Sequence, residues 1–305
     1  MVKRADRRRV DGILLLDKAV SISSNRALQQ MKHLFHARKA GHTGSLDPLA
    51  SGMLPICFGE ATKISGFLLD ADKRYQVVCR LGVTTDSGDA DGEILQRQPV
   101  PPLDAARIEQ ALQALRGSIL QVPPMVSALK HQGQRLYKLA RQGIEVERPA
   151  RAVTVHELLL ESQPSSDSLA LSVHCSKGTY VRSLVESIGQ DLGCGAHVTG
   201  LRRTALGPFT ADAMVSAERM QELATDGGLA ALDAQLLPVE RGLSGWPDVS
   251  LARDAAGFLC QGQAVWTAGL PEPGLVRVFG PDGFLGMGRV ADDGRLQPHR
   301  LMRSD

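Results

Sequence analysis

The feature that most constrains the fold is a stretch rich in glycine and proline, residues 41–52, with the sequence GHTGSLDPLASG. Its three glycines and its proline disfavour helix and strand alike, so we expect a long loop here. Asp47 is the one formally charged residue of this loop, and Pro48 biases the Asp47 backbone towards an extended conformation. A carboxylate held in this way, with no neighbouring acid, suits a nucleophile or a base better than a metal ligand. The simpler alternative is that Asp47 caps the turn through its own backbone.

Apolar periodicity on both sides of this loop predicts regular structure. Residues 12–18 predict a short buried strand, and residues 26–35 predict a helix with an N-cap among Ser23, Ser24 and Asn25. The same reasoning predicts helices over about 61–69, 104–115 and 179–192, and strands over about 74–81, 92–95, 153–160, 169–175 and from 201 onward. Short apolar runs separated by PEPG, GPDG and ADDG turns, after about residue 248, are typical of a small all-β unit.

A predicted strand-to-helix junction at residues 177–182, KGTYVR, carries a second set of candidate residues. Arg182 falls in the first helical turn, where a cation is unfavourable because the amide dipoles present their positive ends there. This position therefore requires an anionic partner. Asp47 would serve, and the pairing would keep Asp47 ionised by lowering its pKa. The alternative is that Arg182 is exposed or pairs with another surface acid.

Tyr75 follows Lys73 and Arg74 and lies just inside a predicted strand. An aromatic ring with two cations beside it suits a stacked base and its phosphate. A tyrosine in a strand is equally typical of a protein core, so Tyr75 alone does not decide between the two interpretations.

Charge is distributed unevenly along the chain, although the net charge is only +2. Residues 1–80 contain 14 Lys and Arg against 7 Asp and Glu, whereas residues 211–305 have an acidic excess of 5. A basic first quarter suggests a polyanionic partner, although an unevenly charged surface explains the same count. The irregular basic segment 123–148 is expected to be mobile in the free protein and to order on RNA.

Several classes of protein are disfavoured by what the sequence contains. The five cysteines are widely spaced and form no CxxC pair, which argues against structural zinc and a disulfide scaffold. Residues 193–195, GCG, lack the rest of a nucleotide-binding motif, and His33, His36 and His42 give no metal site with Asp47. The charged start and the lack of a long apolar window predict a cytoplasmic protein without membrane spans.

Four separated motifs resemble the TruB-type tRNA pseudouridine synthases. They are GHTGSLDPLASGMLP at 41–55, KRY at 73–75, KGTYVR at 177–182 and GAHVTGLRRT at 195–204. The similarity extends over nearly the whole chain through GILLLDK, GEATK, LGVTTDSGDADG, SALK and ARQGIEV. The resemblance implies an isomerase that flips uridine 55 out of the TψC loop of tRNA and converts it to pseudouridine. It implies neither a cofactor nor a metal.

The resemblance also assigns roles to individual residues. Asp47 matches the catalytic nucleophile, Tyr75 the aromatic residue that stacks on the flipped uracil, and Arg182 the basic partner of the nucleophile. His42 matches the residue that helps to extrude the base. Further substrate-binding positions matched by the family are Tyr180, Leu201, Lys18, Lys63 and Lys130 of the SALK segment.

The implied fold is α+β, with a catalytic domain over 11–245 around a mixed, mainly antiparallel sheet. The active-site cleft lies across that sheet, and an RNA-clamping insertion covers about 123–150. A small C-terminal all-β PUA-like domain covers 249–305, and residues 1–10 are basic and mobile. The implied partner is the TψC stem-loop of tRNA, and the protein is expected to act as a monomer.

Three positions depart from the family pattern. Relatives usually have proline and glycine where this chain has Ala19 and Ser21, and an aromatic residue where it has Val126. These departures concern local loop shape and RNA packing rather than the catalytic positions.

Two other functions remain open from the residues themselves. The chain could be a tRNA-binding or folding module with a vestigial site, but this gives no reason for Asp47 and Arg182 to occur together. It could also be a small-molecule nucleoside or sugar hydrolase using Asp47, which would act on free uridine and depend little on salt.

Overall fold

An α+β fold with one large sheet and a smaller C-terminal sheet is seen in the computed structural model, which describes residues 7–303. The strands are β1 Gly12–Lys18, β2 Ala40–His42, β3 Ala50–Phe58, β4 Lys73–Leu81, β5 Val83–Thr85, β6 Ile94–Arg97, β7 Gly117–Gln121, β8 Lys130–His131, β9 Gln134–Arg135, β10 Arg151–Ser165, β11 Ser168–Cys175, β12 Ala196–Leu206, β13 Val215–Ser216, β14 Asp248–Ser250, β15 Gly274–Gly280, β16 Gly283–Val290 and β17 Leu296–Leu301. The helices are α1 Ser24–Leu34, α2 Ser65–Asp70, α3 Ala105–Gln113, α4 Leu136–Ala140, α5 Val181–Asp191, α6 Ala217–Asp233 and α7 Arg253–Cys260. Short 3-10 helices cover Gly59–Lys63, Ala211–Ala213 and Val239–Leu243.

Within residues 7–303 the large sheet has nine strands, in the order β13-β1-β3-β12-β4-β11-β10-β7, with β2 paired to β3. The β1–β13 and β3–β12 pairs are parallel, and the other neighbours are antiparallel. The mainly antiparallel α+β fold expected from the sequence is therefore confirmed.

Strand β12 joins the two halves of this sheet. It pairs in parallel with the first three residues of β3 and antiparallel with the whole of β4. As a result, the loop that precedes β3 and the Tyr75 side chain on β4 are brought to the same part of the sheet.

The faces of the sheet are covered by different elements. On β1, Leu14 and Leu16 contact the cluster formed with α1 and α6, whereas Ile13 and Leu15 contact the cluster that reaches the C-terminal unit. This burial on both faces explains why β1 is an uninterrupted apolar run. Helices α3 and α5 cover one face of β4, β10, β11 and β12.

Most predicted elements are present with small shifts of their ends. The predicted N-cap of α1 is Ser23, whose side chain accepts a hydrogen bond from the Arg26 amide. The expected pairing of the strands near 153–160 and 169–175 is also present, as β10 and β11. The segment expected to be irregular, 123–148, contains the hairpin of β8 and β9 and the short helix α4.

Helix α6 was not predicted from the sequence. It buries only Met220 and Leu232 fully, and Gly228 interrupts it with a positive φ of 62°. Too few apolar residues therefore recur at helical spacing for the pattern to be recognised.

The C-terminal unit contains the sheet β14-β15-β16-β17 and is β-rich, as expected. It also contains α7, which the prediction of an all-β unit omitted. This helix has eight residues and buries only Ala256 and Leu259 fully, which is too short a pattern to distinguish it from a loop. Met287 of β16 packs against the same cluster as Leu206 and Phe209, so the unit contacts the large sheet directly.

Of the N-terminal segment 1–10, residues 1–6 lie outside the described residues. Arg8 donates two hydrogen bonds to the Asp233 carboxylate, and Val10 is buried beside α1. These contacts hold residues 8–10 against α1 and α6.

Candidate active site

The loop around Asp47 is shorter than the sequence predicts, because both of its ends join the sheet. Residues 41 and 42 belong to β2 and pair with Cys57 and Ile56, and β3 begins at Ala50. The irregular part is thus 43–49. Gly52 has a φ of 95°, and a Cβ there would lie 2.3 Å from the Arg203 carbonyl oxygen, so the strand requires glycine at this position.

Two contacts fix this loop against the start of α1. Ser24 Oγ accepts a hydrogen bond from the Leu46 amide at 2.7 Å and donates one to the Leu46 carbonyl at 2.9 Å. The Ser21 amide donates to the Pro48 carbonyl at 2.8 Å. The residues before and after Asp47 are therefore both anchored.

Arg182 and Asp47 form the ion pair that their positions in the sequence predict. Arg182 Nη2 lies 3.0 Å from Asp47 Oδ2, and Arg182 is the second residue of α5. The Arg182 side chain is only 4% exposed, whereas that of Asp47 is 42% exposed. The pair therefore presents the carboxylate outward and keeps the guanidinium inside.

The Arg182 guanidinium has further partners that fix its orientation. Nη1 donates to the Ser87 carbonyl at 2.6 Å and lies 3.6 Å from Asp89 Oδ2, and Nη2 donates to the Val126 carbonyl at 2.7 Å. Asp89 is itself only 4% exposed. Two carboxylates and two carbonyls thus offset the cost of burying a cation at a helix N-terminus.

The expectation that pairing leaves Asp47 with a lowered pKa is wrong in its net direction. Burial raises the pKa of Asp47 above its ordinary value, more than the Arg182 charge lowers it. The negative charge of Asp89 raises the pKa further, and Lys18 acts in the opposite direction. Although part of the side chain is exposed, protein groups surround the carboxylate closely enough for desolvation to dominate.

Tyr75 lies on β4, 9% exposed, and points to the face covered by α3 and α5. The cation beside it is Arg203, which is 1% exposed and whose positive charge acts on the Tyr75 hydroxyl. Burial raises the pKa of Tyr75, and Arg203 partly opposes this. The Arg203 guanidinium also donates to the carbonyls of Met53 at 2.7 Å and Gly44 at 2.9 Å, so it links Tyr75 to the Asp47 loop.

The two cations next to Tyr75 in the sequence do not form the base-and-phosphate site that we considered. Alternation along β4 sends Arg74 to the opposite face, where it pairs with Glu157 at 2.6 Å. Lys73 is buried and donates its ammonium protons to the carbonyls of Leu69 and Ala71.

A cleft of about 1410 Å³ opens in front of Asp47 and Arg182. His42 and Lys130 line it as well, so four of the predicted site residues meet there. One wall is acidic, with Asp86, Asp89 and Asp91. The other wall is the insertion, which contributes Arg135, Tyr137, Lys138 and Arg141.

Two other predicted residues lie behind or beside this cleft. Tyr180 precedes α5, and Gln121 holds its backbone by accepting from the Tyr180 amide at 2.7 Å and donating to the Tyr180 carbonyl at 3.0 Å. Burial raises the pKa of the Tyr180 hydroxyl. Leu201 on β12 pairs with Ala50 at the end of the Asp47 loop and packs against the cluster that contains Leu46.

Lys18 and Lys63 occupy different parts of the fold. Lys18 is 1% exposed and donates to the carbonyls of Ala19 and Ile22 at 2.8 Å, so it supports the turn that holds Pro48. Burial lowers the pKa of Lys18 to about 8. Lys63 lies outside the Asp47 cleft. It faces a groove towards the C-terminal unit, paired with Glu60 at 2.6 Å and bonded to the Leu301 carbonyl.

Sequence reasoning missed four residues that organise this site. They are Ser24, Asp89, Gln121 and Arg203. Asp89 and Arg203 lie inside motifs that carry the resemblance, which is a signal that could have drawn attention to them. Ser24 and Gln121 act on backbone groups far away in sequence, and no local pattern indicates such a contact.

Three family models together match residues 32–302. Residues 32–181 match the TruB family pseudouridylate synthase N-terminal domain. Residues 182–244 match the tRNA pseudouridylate synthase B C-terminal domain, and residues 247–302 match the pseudouridine synthase II TruB C-terminal model. The chain belongs to the TruB family of pseudouridine synthases. The resemblance seen in the motifs and the expected enzyme class are thereby confirmed.

Relatives of this TruB-family chain are similar over their full length. The tRNA pseudouridine synthase B of Nitrosococcus oceani is 56% identical over 97% of this chain and 96% of its own. The protein of the same name from Pseudomonas aeruginosa is 53% identical over 99% of both chains.

Solved structures support the fold of the TruB-family chain. A Cbf5-Nop10-Gar1 complex matches with a TM-score of 0.73 and 24% identity, over 96% of this chain and 84% of the other. An H/ACA RNP bound to a substrate RNA matches with a TM-score of 0.72 and 21% identity, over 96% and 85%. Among residues 7–303, no helix is both long and apolar enough to cross a membrane.

Proposed function

We propose that this chain converts uridine 55 in the TψC loop of tRNA to pseudouridine, with Asp47 as the nucleophile. The observation that carries the proposal is the Asp47–Arg182 pair at 3.0 Å, which places an outward-facing carboxylate on an anchored loop at the base of a cleft. The relatives named tRNA pseudouridine synthase B support tRNA as the substrate.

The reaction is an isomerisation that needs no oxidant and no phosphate donor. The C1′–N1 bond breaks, the uracil rotates, and a C1′–C5 bond forms. The proton on C5 is lost and N1 gains one, so the atoms balance. In this proposal Asp47 forms a transient covalent adduct that retains the detached base. Asp47 must be ionised to attack, and the Arg182 charge favours that form.

Arg182 acts as a fixed counter-charge in this proposal. Its contacts with Asp89, Ser87 and Val126 are present before substrate arrives, so it does not need to reorient during the reaction. Tyr75 supplies an aromatic face, with the positive charge of Arg203 beside its hydroxyl.

The uridine must leave its stack before it reaches Asp47, at a cost of a few kcal/mol. His42 is suited to occupy the vacated space. It lines the cleft, and burial lowers its pKa, which favours the neutral ring. Within residues 7–303, its buried Nδ1 has no hydrogen-bond partner, so an RNA group can provide one.

Affinity for tRNA comes from the cationic wall of the cleft. Lys130, Arg135, Lys138 and Arg141 lie on an insertion whose short helix α4 buries Leu136 and Leu139. We propose that this insertion, within about 123–150, closes on the stem-loop and that its cations contact phosphates. In this proposal the enzyme acts as a monomer in the cytoplasm.

The proposal is tested with a TψC stem-loop RNA that carries tritium at C5 of the target uridine. Wild-type protein is expected to release the tritium, and Asp47→Asn to release none while it still binds the RNA. Asp91→Asn is the matched control, because it removes the same charge from an exposed position of the same cleft. It is expected to retain release.

Three outcomes would contradict the proposal. Binding without release by the wild-type protein would indicate an RNA-binding module. Release by Asp47→Asn at the wild-type rate would exclude Asp47 as the nucleophile. Activity on free uridine that equals activity on the stem-loop would indicate a nucleoside-processing enzyme instead.

A further inference from the structure

A cluster of three side chains lies on the face of the large sheet opposite Tyr75. Asp72 directly precedes β4, His156 lies on β10 and His174 on β11. Val173 and Cys175, on either side of His174, point into the core that contains Tyr75, so His174 points to the other face. The cluster is therefore separate from the Asp47 cleft.

The pairing of β10 with β11 is irregular at His156. Val155 is paired with Cys175, but Glu157 is paired with His174, so His156 is an extra residue in β10. Such a bulge redirects side chains, and here both His156 and Glu157 are exposed between the buried Val155 and Leu158. Alternation from the buried pair Val155 and Cys175 places His156 and His174 on the same face, and the bulge adds Glu157 to it.

The distances suit a shared ion. His156 Nε2 and His174 Nε2 lie 3.2 Å and 4.0 Å from the same oxygen, Asp72 Oδ2. The three ligand atoms lie within 4.8 Å of one another. Around zinc, with bonds of about 2.0–2.2 Å, tetrahedral ligand atoms are roughly 3.3 Å apart. Small rotations of these accessible side chains bring all three to that spacing.

The cluster differs from an ordinary ion pair. An ion pair requires one protonated histidine facing a carboxylate, whereas here two imidazole rings, with centroids 4.7 Å apart, face one oxygen. A single cation between them would satisfy all three groups. The neighbouring charges, Arg74 and Glu157, already neutralise each other at 2.6 Å.

We propose that Asp72, His156 and His174 bind one divalent transition-metal ion of the zinc class, with a further coordination position open to water. Two imidazole nitrogens and one carboxylate match the donors that Zn²⁺ prefers. Mg²⁺ and Ca²⁺ prefer oxygen ligands throughout and do not suit this set. No sequence pattern indicates this site, because its ligands come from three separate segments without metal-ligand spacing.

The test is calorimetric titration of the full-length, chelator-treated protein with Zn²⁺ alone. A Cys260→Ser background removes the exposed thiol as a competing ligand. One Zn²⁺ per chain is expected to bind, and His156→Ala, His174→Ala and Asp72→Asn are each expected to bind at least about tenfold more weakly, since even the loss of an outer-shell partner costs that much. Mg²⁺ is expected to give no comparable heat.

His33→Ala is the matched control. It removes an exposed histidine from the other histidine pair, His33 and His36, whose ring centroids are 6.5 Å apart. The control is expected to bind as the wild type does. Circular dichroism verifies that each variant is folded. Zn²⁺ is expected to raise the Tm of the wild type and the control but not that of His174→Ala, because a ligand of the native state stabilises it.

Three results would overturn the proposal. They are no Zn²⁺ binding by the wild type, equal binding by all three ligand variants, or loss of binding in His33→Ala with His174→Ala unaffected. None of these depends on catalytic activity, so the proposed function and this site can fail separately.

Discussion

Ser24 Oγ holds both backbone groups of Leu46, accepting from the amide at 2.7 Å and donating to the carbonyl at 2.9 Å. Ser24 is 4% exposed, and Leu46 directly precedes Asp47. One hydroxyl at the start of α1 therefore positions the loop that carries the proposed nucleophile.

Replacing this hydroxyl is expected to affect both stability and catalysis. Ser24→Ala leaves two backbone groups of Leu46 without partners, so we expect the free energy of unfolding to fall by about 1–3 kcal/mol. The single-turnover rate of pseudouridine formation is expected to fall by at least about tenfold, because the Asp47 carboxylate is held less firmly. Gln29→Ala, on the exposed side of α1, is the control and is expected to change neither. An unchanged rate in Ser24→Ala would show that the loop needs no such anchor.

Asp47→Asn is expected to stabilise the protein while it abolishes activity. Because the folded-state pKa of Asp47 is raised, the native protein binds more protons here than the unfolded chain, and wild-type stability decreases as pH rises through that window. The variant lacks this decrease. Urea unfolding should give similar free energies of unfolding for the two proteins below the ordinary carboxyl pKa. At pH 7 the free energy of unfolding should be higher for the variant. The gain should stay below about 1 kcal/mol, since the side chain is partly exposed and solvent screens it. A variant less stable than wild type at pH 7 would contradict this account.

The pH dependence of catalysis is expected to depend on Arg182. In the wild type, the rate should fall as pH decreases through the raised pKa of Asp47, since the protonated carboxyl is not a nucleophile. Arg182→Gln removes the charge that lowers this pKa, so the acid limb should move to higher pH and the maximal rate should fall. Both effects are measured from single-turnover rates between about pH 4.5 and 8, a range that covers the ordinary carboxyl and histidine pKa values. Arg80→Gln, whose partner is Asp167, should leave the profile unchanged.

The turn after β1 is expected to become more stable when Ser21 is replaced by glycine. Ser21 has a φ of 65°, which costs a residue with a side chain about 1 kcal/mol relative to glycine. Ser21→Gly should therefore raise the free energy of unfolding by up to about 1 kcal/mol, as measured by urea unfolding. Val20→Gly, at the exposed neighbouring position, should instead lower it by about 0.5–1 kcal/mol. Equal changes in both variants would exclude strain at Ser21.

The salt dependence of tRNA binding is expected to depend on the insertion. Lys130, Lys138 and Arg141 line one wall of the cleft. If each contacts a phosphate, its replacement by glutamine should reduce the slope of log K against log salt by about 1. Fluorescence anisotropy with a labelled stem-loop measures this slope. Arg219→Gln, on α6 and paired with Glu222, is the control and should leave it unchanged.

The sequence was sufficient for β1, β4, β10, β11 and β12 of the large sheet, though not for β3 or β7, and it was sufficient for the ion pair of Asp47 with Arg182. Asp47 beside a proline, and Arg182 at an unfavourable position in a helix, each require something that the other supplies, and the structure joins them. The effect of burial on Asp47 could not be predicted, because desolvation depends on everything packed around the carboxylate. The sequence also did not indicate which cation lies beside Tyr75. Alternation along β4 places Arg74 on the other face, and the cation beside Tyr75 is Arg203 of β12.

Residues that bond to distant backbone groups were the main omission. Ser24 was considered only as an N-cap candidate, and no sequence pattern singled out Gln121. Each nevertheless bonds to both the backbone amide and the backbone carbonyl of one distant residue. Hydrogen bonds of this kind depend on tertiary proximity and leave no period or motif in the sequence. The position of Lys63 was also not apparent from the sequence. The family resemblance assigned it to the substrate-binding residues, whereas in the fold its ammonium group donates to the Leu301 carbonyl, outside the Asp47 cleft.

The central position of β12 has a consequence for the newly made chain on the ribosome. Strands β3 and β4 are synthesised early, and each pairs with β12, which ends only at Leu206. Until that residue has emerged, both strands present unpaired edges, which are prone to pair with other chains. Translation pauses before residue 196 should therefore favour aggregation, and the Asp47 loop can meet Arg182 only when most of the chain has been made.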